Sequence, residues 1–274
     1  METILSNLDD TEAVIGALEA NLGQFLLGLG RAGGGEERDE IDIQWIIGGS
    51  PIDYHNAVFR ADLMEDRVDE AIEDVKNAAR KYQVDITWHV APSMRPSNLG
   101  ARLIQHGFGL AATEVGMAID LGTLPKNESV LADLKIERVR TDDDLQHWAE
   151  TLALGFGEGW REAEWVRDRY REIGYGEESA WRHYVGWLRG EAVGVSSMLM
   201  GNGVAGIYFV STAPSARRQG IGKAMTLAPL LDARAMGYHI GVLEASEMGT
   251  SVYGALGFGE VCRVGIYTWS VRQS

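Results

Sequence analysis

The sequence predicts an α/β protein with mixed sheets, built as two domains of one architecture set in tandem. Three observations carry this. Apolar runs of strand length alternate with amphipathic helix patterns along the whole chain. A stretch of the second half, "YHIGVLEASEMGTSVYGALGFGEVCRVGIYTW", repeats the order of features in "VDITWHVAPSMRPSNLGARLIQHGFGLAATEVGMAIDL" of the first, with Gly107-Phe108 matching Gly257-Phe258 at an offset of 150. Finally, 274 residues with 45% hydrophobic content suffice for two cores.

Taken in order, the tri-glycine of "RAGGGEERDE" marks a loop, and "LMEDRVDEAIEDVKNAARKY" has the period of an amphipathic helix. A strand, a Ser/Gly break, a short helix ending at Gly107-Phe108 and a final strand follow. Pro125, Lys126 and Asn127 interrupt the pattern in "LGTLPKNESVLADL", which divides the chain into domains 1–125 and 126–274. Beyond it, "KIERVRT" reads as a strand and "DDDLQHWAETLALGF" as a helix with carboxylates in its first turn. "WREAEWVRDRYREIG" is a second helix. "AWRHYVGWL", "AVGVSSMLM" and "AGIYFV" are antiparallel strands separated by the turn dipeptides Arg189-Gly190 and Gly201-Asn202. A helix, "GKAMTLAPLLDARAMGY", then leads into the repeated stretch.

Net charge is −15, and it is uneven: residues 1–125 hold 9 Lys and Arg against 21 Asp and Glu, the remainder 16 against 19. That balance argues against a nucleic-acid partner, since phosphate backbones demand a basic face. Cys262 is the sole cysteine, so no intrachain disulfide forms, and no metal-ligand spacing is present. The first residues carry carboxylates where a signal peptide carries lysines, and the run "FLLGLG" is too short to cross a bilayer. These features predict a cytoplasmic protein with no membrane partner and no metal. A homodimer is compatible with them.

The segment "STAPSARRQGIGKAM" stands between an apolar strand and an apolar helix, so it aims backbone N–H groups at something. A helix N-terminus has unpaired N–H groups and partial positive charge, which suits a phosphate. Two anion-binding motifs fail here. The P-loop needs glycine where Arg217 stands and Ser or Thr where Ala224 stands, and the dinucleotide fingerprint needs a third glycine where Met225 stands. The third fits: Arg217-x-x-Gly220-x-Gly222 after a strand ending at Val210 resembles the acetyl-CoA loop of the GCN5-related N-acetyltransferases, the GNAT family. Ser246, Gly249, Val252, Tyr253, Gly257 and Phe258 resemble that family's following short helix, with Ser246 replacing its usual asparagine. The match runs over roughly residues 133–270. The weak internal repeat looks like the tandem members of the family, whose N-terminal copy has lost the loop. The first half has "DLMEDRVDEA" there instead, and Asp66, Asp69 and Glu70 would repel a pyrophosphate.

The resemblance implies two GNAT-like domains, each a mostly antiparallel sheet splayed around a cofactor site and flanked by helices, with one acetyl-CoA site in the second. The amides of Arg218, Gln219, Gly220, Ile221, Gly222 and Lys223, with Arg217, would hold the pyrophosphate. The strand edge at Phe209 and Val210 would pair with pantetheine amides, Ser246 would assist, and the Val210 N–H would serve a developing oxyanion. Tyr253 stands where the family keeps its general acid; its other reading is a half-buried aromatic packing its helix. "NGVAGIYFV" lacks the carboxylate many members carry, which leaves Glu244, His183 or ordered water as the base. Trp160, Trp165 and Tyr170 fall where the family builds its acceptor pocket, although their spacing also suits a buried helix stripe. Glu158, Glu162 and Glu164 would attract a cation or form a wet face.

The resulting expectation is acetyl transfer from acetyl-CoA to the primary amine of a small molecule, by direct attack in a ternary complex. Two other readings compete. One is an acyl-CoA-binding sensor or scaffold without turnover, and the other is a protein acetyltransferase, disfavoured by the absence of a basic targeting segment.

Overall fold

The computed structural model describes residues 4–125, 131, 133–156, 159–247 and 249–273. Lys126 and Asn127 of the expected boundary, and Glu158, lie outside them. The chain divides into a larger unit, residues 1–21 with 117–261, and a smaller unit, residues 22–116 with 262–274. The crossing at 117 falls near the expected cut at 125, but each end of the chain belongs with the opposite half. The reason is strand pairing that no local pattern announces: β11 (Gly259–Trp269) pairs its residues 265–269 antiparallel with residues 86–90 of β4 (Ile86–Val90).

In the smaller unit, β1 (Glu36–Asp39), β2 (Ile43–Ile47), β3 (Asn56–Ala61), β4 and the end of β11 lie side by side. All these pairs are antiparallel except β3 with β4. Helix α2 (Val68–Tyr82) buries Val68, Ile72, Val75 and Ala79, the spacing of one apolar helix face. Its first turn presents Asp69 and Glu70; Arg102 of helix α3 (Leu99–Gln105) and His106 both bond Asp69. Phe108 of the first Gly-Phe packs edge-on to Trp88, ring centres 6.3 Å apart. Trp88 has no exposed surface, and a large apolar side chain buried so contributes about 1.5–3 kcal/mol.

The larger unit contains the last residues of β5 (Gly109–Asp120), then β6 (Leu134–Arg138), α4 (Asp142–Gly155), α5 (Trp160–Ile173), β7 (Trp181–Leu188), β8 (Glu191–Gly201) and β9 (Val204–Thr212). Helix α6 (Ile221–Ala235), strand β10 (Ile240–Ala245) and helix α7 (Thr250–Gly254) complete it. Strands lie in the order β10-β9-β8-β7-β6, antiparallel except for β9 with β10. Thr141 starts α4 by a capping box with Asp144, each side chain accepting from the other's end of the turn. The β7–β8 hairpin turns at Arg189-Gly190 as expected; the β8–β9 turn falls one residue later than expected, at Asn202-Gly203. All four residues have positive φ, as a two-residue hairpin loop requires.

Helix α1 (Thr11–Ala32) is an element that no expectation covered. It is apolar enough by length and composition to cross a membrane, at mean hydropathy 1.3, yet 56% of its most apolar stretch is buried within the protein, as in a core helix. Interspersed glycines hid it from a search for unbroken apolar runs.

Candidate active site

Strand β9 carries the site because it is not a regular strand. Val195 pairs with Ser211 and Ser197 with Tyr208, so Phe209 and Val210 together oppose Ser196. This is a β-bulge, and Phe209 takes up the extra residue in the left-handed region at φ 51°. On its other edge β9 pairs with β10 only through Ala205↔Gly241 and Gly206↔Val242. Beyond those pairs the two strands part, and the backbone of β9 from Tyr208 onward presents an edge.

The chain leaves β9 through Arg217 and enters α6. Arg217 does not point into open space: its Nε donates to the Thr212 carbonyl at 3.2 Å and Nη2 to the Gly155 carbonyl at 3.0 Å. The guanidinium thus ties the loop to the strand it left and to the end of α4. Arg218 is in the left-handed region at φ 61°, and Gly220 follows at φ 82°, a conformation that favours glycine. Gly220 is the N-cap of α6 and supplies no side-chain cap. The first-turn N–H groups of a helix have no carbonyl within it. Ile221 is buried, Gly222 half-buried, and Gln219 and Lys223 exposed.

Val210, Arg217 and Ser246 come together on an open cleft of about 660 Å³, with Gly155, Phe156, Ser211, Thr212 and Gly249. The Ser211 hydroxyl is buried there without a hydrogen-bond partner. Tyr253 lies one turn beyond Gly249 on α7, its ring 5.9 Å from that of Phe258, and burial pushes its phenol above the ordinary value. These features fit a ligand that carries both phosphates and amides: an uncapped helix start for the first, a strand edge and an orphan hydroxyl for the second. Among the described residues, no three His, Cys, Asp or Glu side chains cluster as metal ligands.

The base candidates separate. Glu244 is half-buried near the end of β10, and its charge reaches Tyr208 on β9. His183 has no exposed surface. Its Nδ1 lies 2.8 Å from Ser197 Oγ, its ring stacks on Tyr170 at 3.7 Å, and burial, then Arg138, lowers its pKa to about 3. A ring so enclosed cannot take a proton directly from a ligand. Of the aromatic stretch on α5, Tyr170 is core, stacked on His183 and edge-on to Trp148, whereas Trp160 is 43% exposed beneath the Arg167 guanidinium. Glu164 is a wet face residue 3.7 Å from Arg167, but Glu162 has no exposed surface. Sequence reasoning passed over Glu162's burial, the Ser211 hydroxyl, and the bond that the Tyr208 hydroxyl donates to the Oδ1 of buried Asn21 at 2.7 Å.

Residues 145–258 match the Acetyltransferase (GNAT) family. That segment of the chain is similar to the GNAT acetyltransferases. No curated protein matches the sequence. Solved structures share the fold of this chain at low identity. One is a GCN5-related N-acetyltransferase from Kribbella flavida, with a TM-score of 0.71 and 16% identity over 92% of this chain and 95% of that one. A second is a tandem GNAT protein from the clavulanic acid biosynthesis pathway, with a TM-score of 0.58 and 16% identity over 83% and 78%. A third, a conserved protein of unknown function from Staphylococcus epidermidis, gives 0.61 and 16% over 85% and 93%. The mixed sheet flanked by helices is therefore the fold of these structures, a tandem GNAT protein among them.

Proposed function

We propose that this chain is a GNAT acetyltransferase, which transfers acetyl from acetyl-CoA to the primary amine of a small molecule by direct attack in a ternary complex. The observation that carries the reading is the continuity of bulged strand, loop and uncapped helix from Phe209 to Lys223. Acetyl-CoA, when bound, supplies a thioester as acyl donor. The N–H groups of Arg218 to Lys223 would hold its pyrophosphate, with helix charge in their favour, and Arg217 keeps that loop in place through its two carbonyl contacts. The β9 edge at Phe209 and Val210, with Ser246, would hold the pantetheine. The Val210 N–H, at the bulge, would serve a developing oxyanion. Tyr253, protonated because burial raises its pKa, would donate a proton to the leaving thiolate. Glu244 would accept one from the amine, directly or through water.

One site per chain is expected. In the smaller unit the corresponding helix α2 opens on Asp69 and Glu70, with Asp69 already engaged by Arg102 and His106. Calorimetric titration with acetyl-CoA tests the reading. The wild type should bind one equivalent and Gly220→Glu none; no binding to the wild type overturns it.

A further inference from the structure

Phe209 occupies the left-handed region at φ 51°, where a bulky side chain is rare because its Cβ crowds the backbone. Such a conformation persists only where the surroundings leave no alternative. Here the surroundings are aromatic. The Phe209 ring meets three others edge to face, with ring centres 5.7 Å away at Phe156, 5.9 Å at Trp148 and 6.5 Å at Tyr170. Phe156 follows the last turn of α4, Trp148 stands on the buried face of that helix, and Tyr170 comes from α5.

Trp148 touches the bulge through both of its strands. While its ring bears on Phe209 of β9, its Nε1 donates to the Ser196 carbonyl of β8 at 3.1 Å. Ser196 is the residue that Phe209 and Val210 together oppose. Its hydroxyl in turn donates to the Met225 carbonyl of α6 at 2.7 Å, so Ser196 is held between two helices. The helix that carries Trp148 is itself fixed at both ends, by the Thr141 cap and by the bond from Arg217 to the Gly155 carbonyl. A Cβ at Gly155 would collide with the Ser211 hydroxyl and sit 2.8 Å from the Thr212 carbonyl oxygen, so α4 seats directly on β9 just past the bulge.

Val210, the next residue, lines the cleft. Its N–H belongs to the planar peptide unit that follows Phe209, so the dihedral angles of Phe209 set where that N–H points. We propose that Trp148 is the positioning residue of this site: by bracing the Phe209 ring and the Ser196 carbonyl it fixes the bulge, and through it aims the Val210 N–H at the carbonyl of a bound thioester. This rests on the acetyltransferase reading above. It gives a part in the chemistry to a core residue that no motif contains.

Infrared spectroscopy of acetyl-CoA isotope-labelled at its carbonyl carbon tests this without any acceptor. On the full wild-type chain the carbonyl stretch should fall below its value in free acetyl-CoA, as a hydrogen bond to that oxygen requires. Trp148→Phe keeps a ring and removes the N–H, and Trp148→Leu removes both. The two should lose increasing parts of the downshift, while calorimetric affinity for acetyl-CoA stays within about threefold, because the loop that opens α6 is untouched. Glycine at 209 takes a positive φ unaided, so in a Phe209→Gly background Trp148→Leu should move the stretch no further. A merely structural Trp148 would lower affinity, and would act equally in both backgrounds. If Trp148→Leu does not fold, Trp148→Phe in the two backgrounds decides alone. A stretch unchanged by Trp148→Phe, equal losses with and without Phe209→Gly, or a wild type that binds acetyl-CoA with no downshift overturns the proposal alone. A wild type that binds no acetyl-CoA fails the acetyltransferase reading itself, and the proposal with it.

Discussion

Tyr253 is the side chain whose replacement separates an enzyme from a sensor. Its phenol packs against Phe258 and burial keeps it protonated. Phenylalanine at 253 keeps the packing and removes the proton, so kcat should fall by about a hundredfold or more while acetyl-CoA affinity holds. Equal affinity with no turnover in either form would instead favour the sensor. Glu244→Gln should slow the reaction near neutral pH and recover towards alkaline pH, where the amine is already neutral. A pH–rate profile of the variant parallel to the wild type's would remove Glu244 from the role of base. At this scale the sequence was most informative where chemistry resides in motif spacing. The glycine that opens α6, Gly220, and the Gly-Phe that follows the short helix of Tyr253 could be placed in advance. The bond from the Tyr208 hydroxyl to Asn21 could not, because the two stand 187 positions apart.

Strand β9 shows what an element adds to its residues. The run "AGIYFV" announces a strand, but its bulge resides in the pairing of Ser196 with Phe209 and Val210, a relation between two strands that composition does not encode. The smaller unit has a counterpart: Gln44 pairs with Arg60 and Trp45 with Val58, leaving Phe59 as the extra residue of β3. Phe59 and Phe209 stand at the same offset of 150 as the two Gly-Phe pairs, so the repeat extends to an irregularity invisible in the sequence comparison. Close packing at β9 yields a stability prediction. Gly206→Ala puts a methyl 2.0 Å from Asn21 Oδ1, and forced overpacking of this kind costs about 1–3 kcal/mol. Urea denaturation should show that loss; a midpoint equal to the wild type's would mean the Asn21 contact is not held as described.

For the whole molecule, three buried histidines set the response to acid. Burial lowers His55 and His183 to about 3 and His89 to about 4, from an unfolded value of 6.5. As pH falls below about 6.5 the unfolded chain takes up protons that the folded protein refuses, so stability is full above that value and is lost below it. Each group's share is about 1.4 kcal/mol per pH unit once its unfolded form is charged. Urea midpoints should therefore drop between about pH 6.5 and 5, before most carboxylates titrate; a flat profile there would contradict the burial. In the second half the order of elements was legible along the chain, from the acidic first turn of α4 to the turn at Arg189-Gly190, because each depends on neighbours in sequence. The division into units was not, because it depends on which strands meet.

That division has a consequence for biosynthesis. Domains ordinarily complete their folding in the order they leave the ribosome. Here the smaller unit, begun at residue 22, lacks the strand that pairs with β4 until Trp269 has been made, while the larger unit waits with its first 21 residues already synthesised. The smaller unit therefore completes its sheet only after strands β6 to β10 of the larger unit have been made. Expressing residues 126–274 alone would yield a fragment without Asn21 and with an unpaired terminal strand, and the same bond between the halves makes either one hard to lose or exchange as a module.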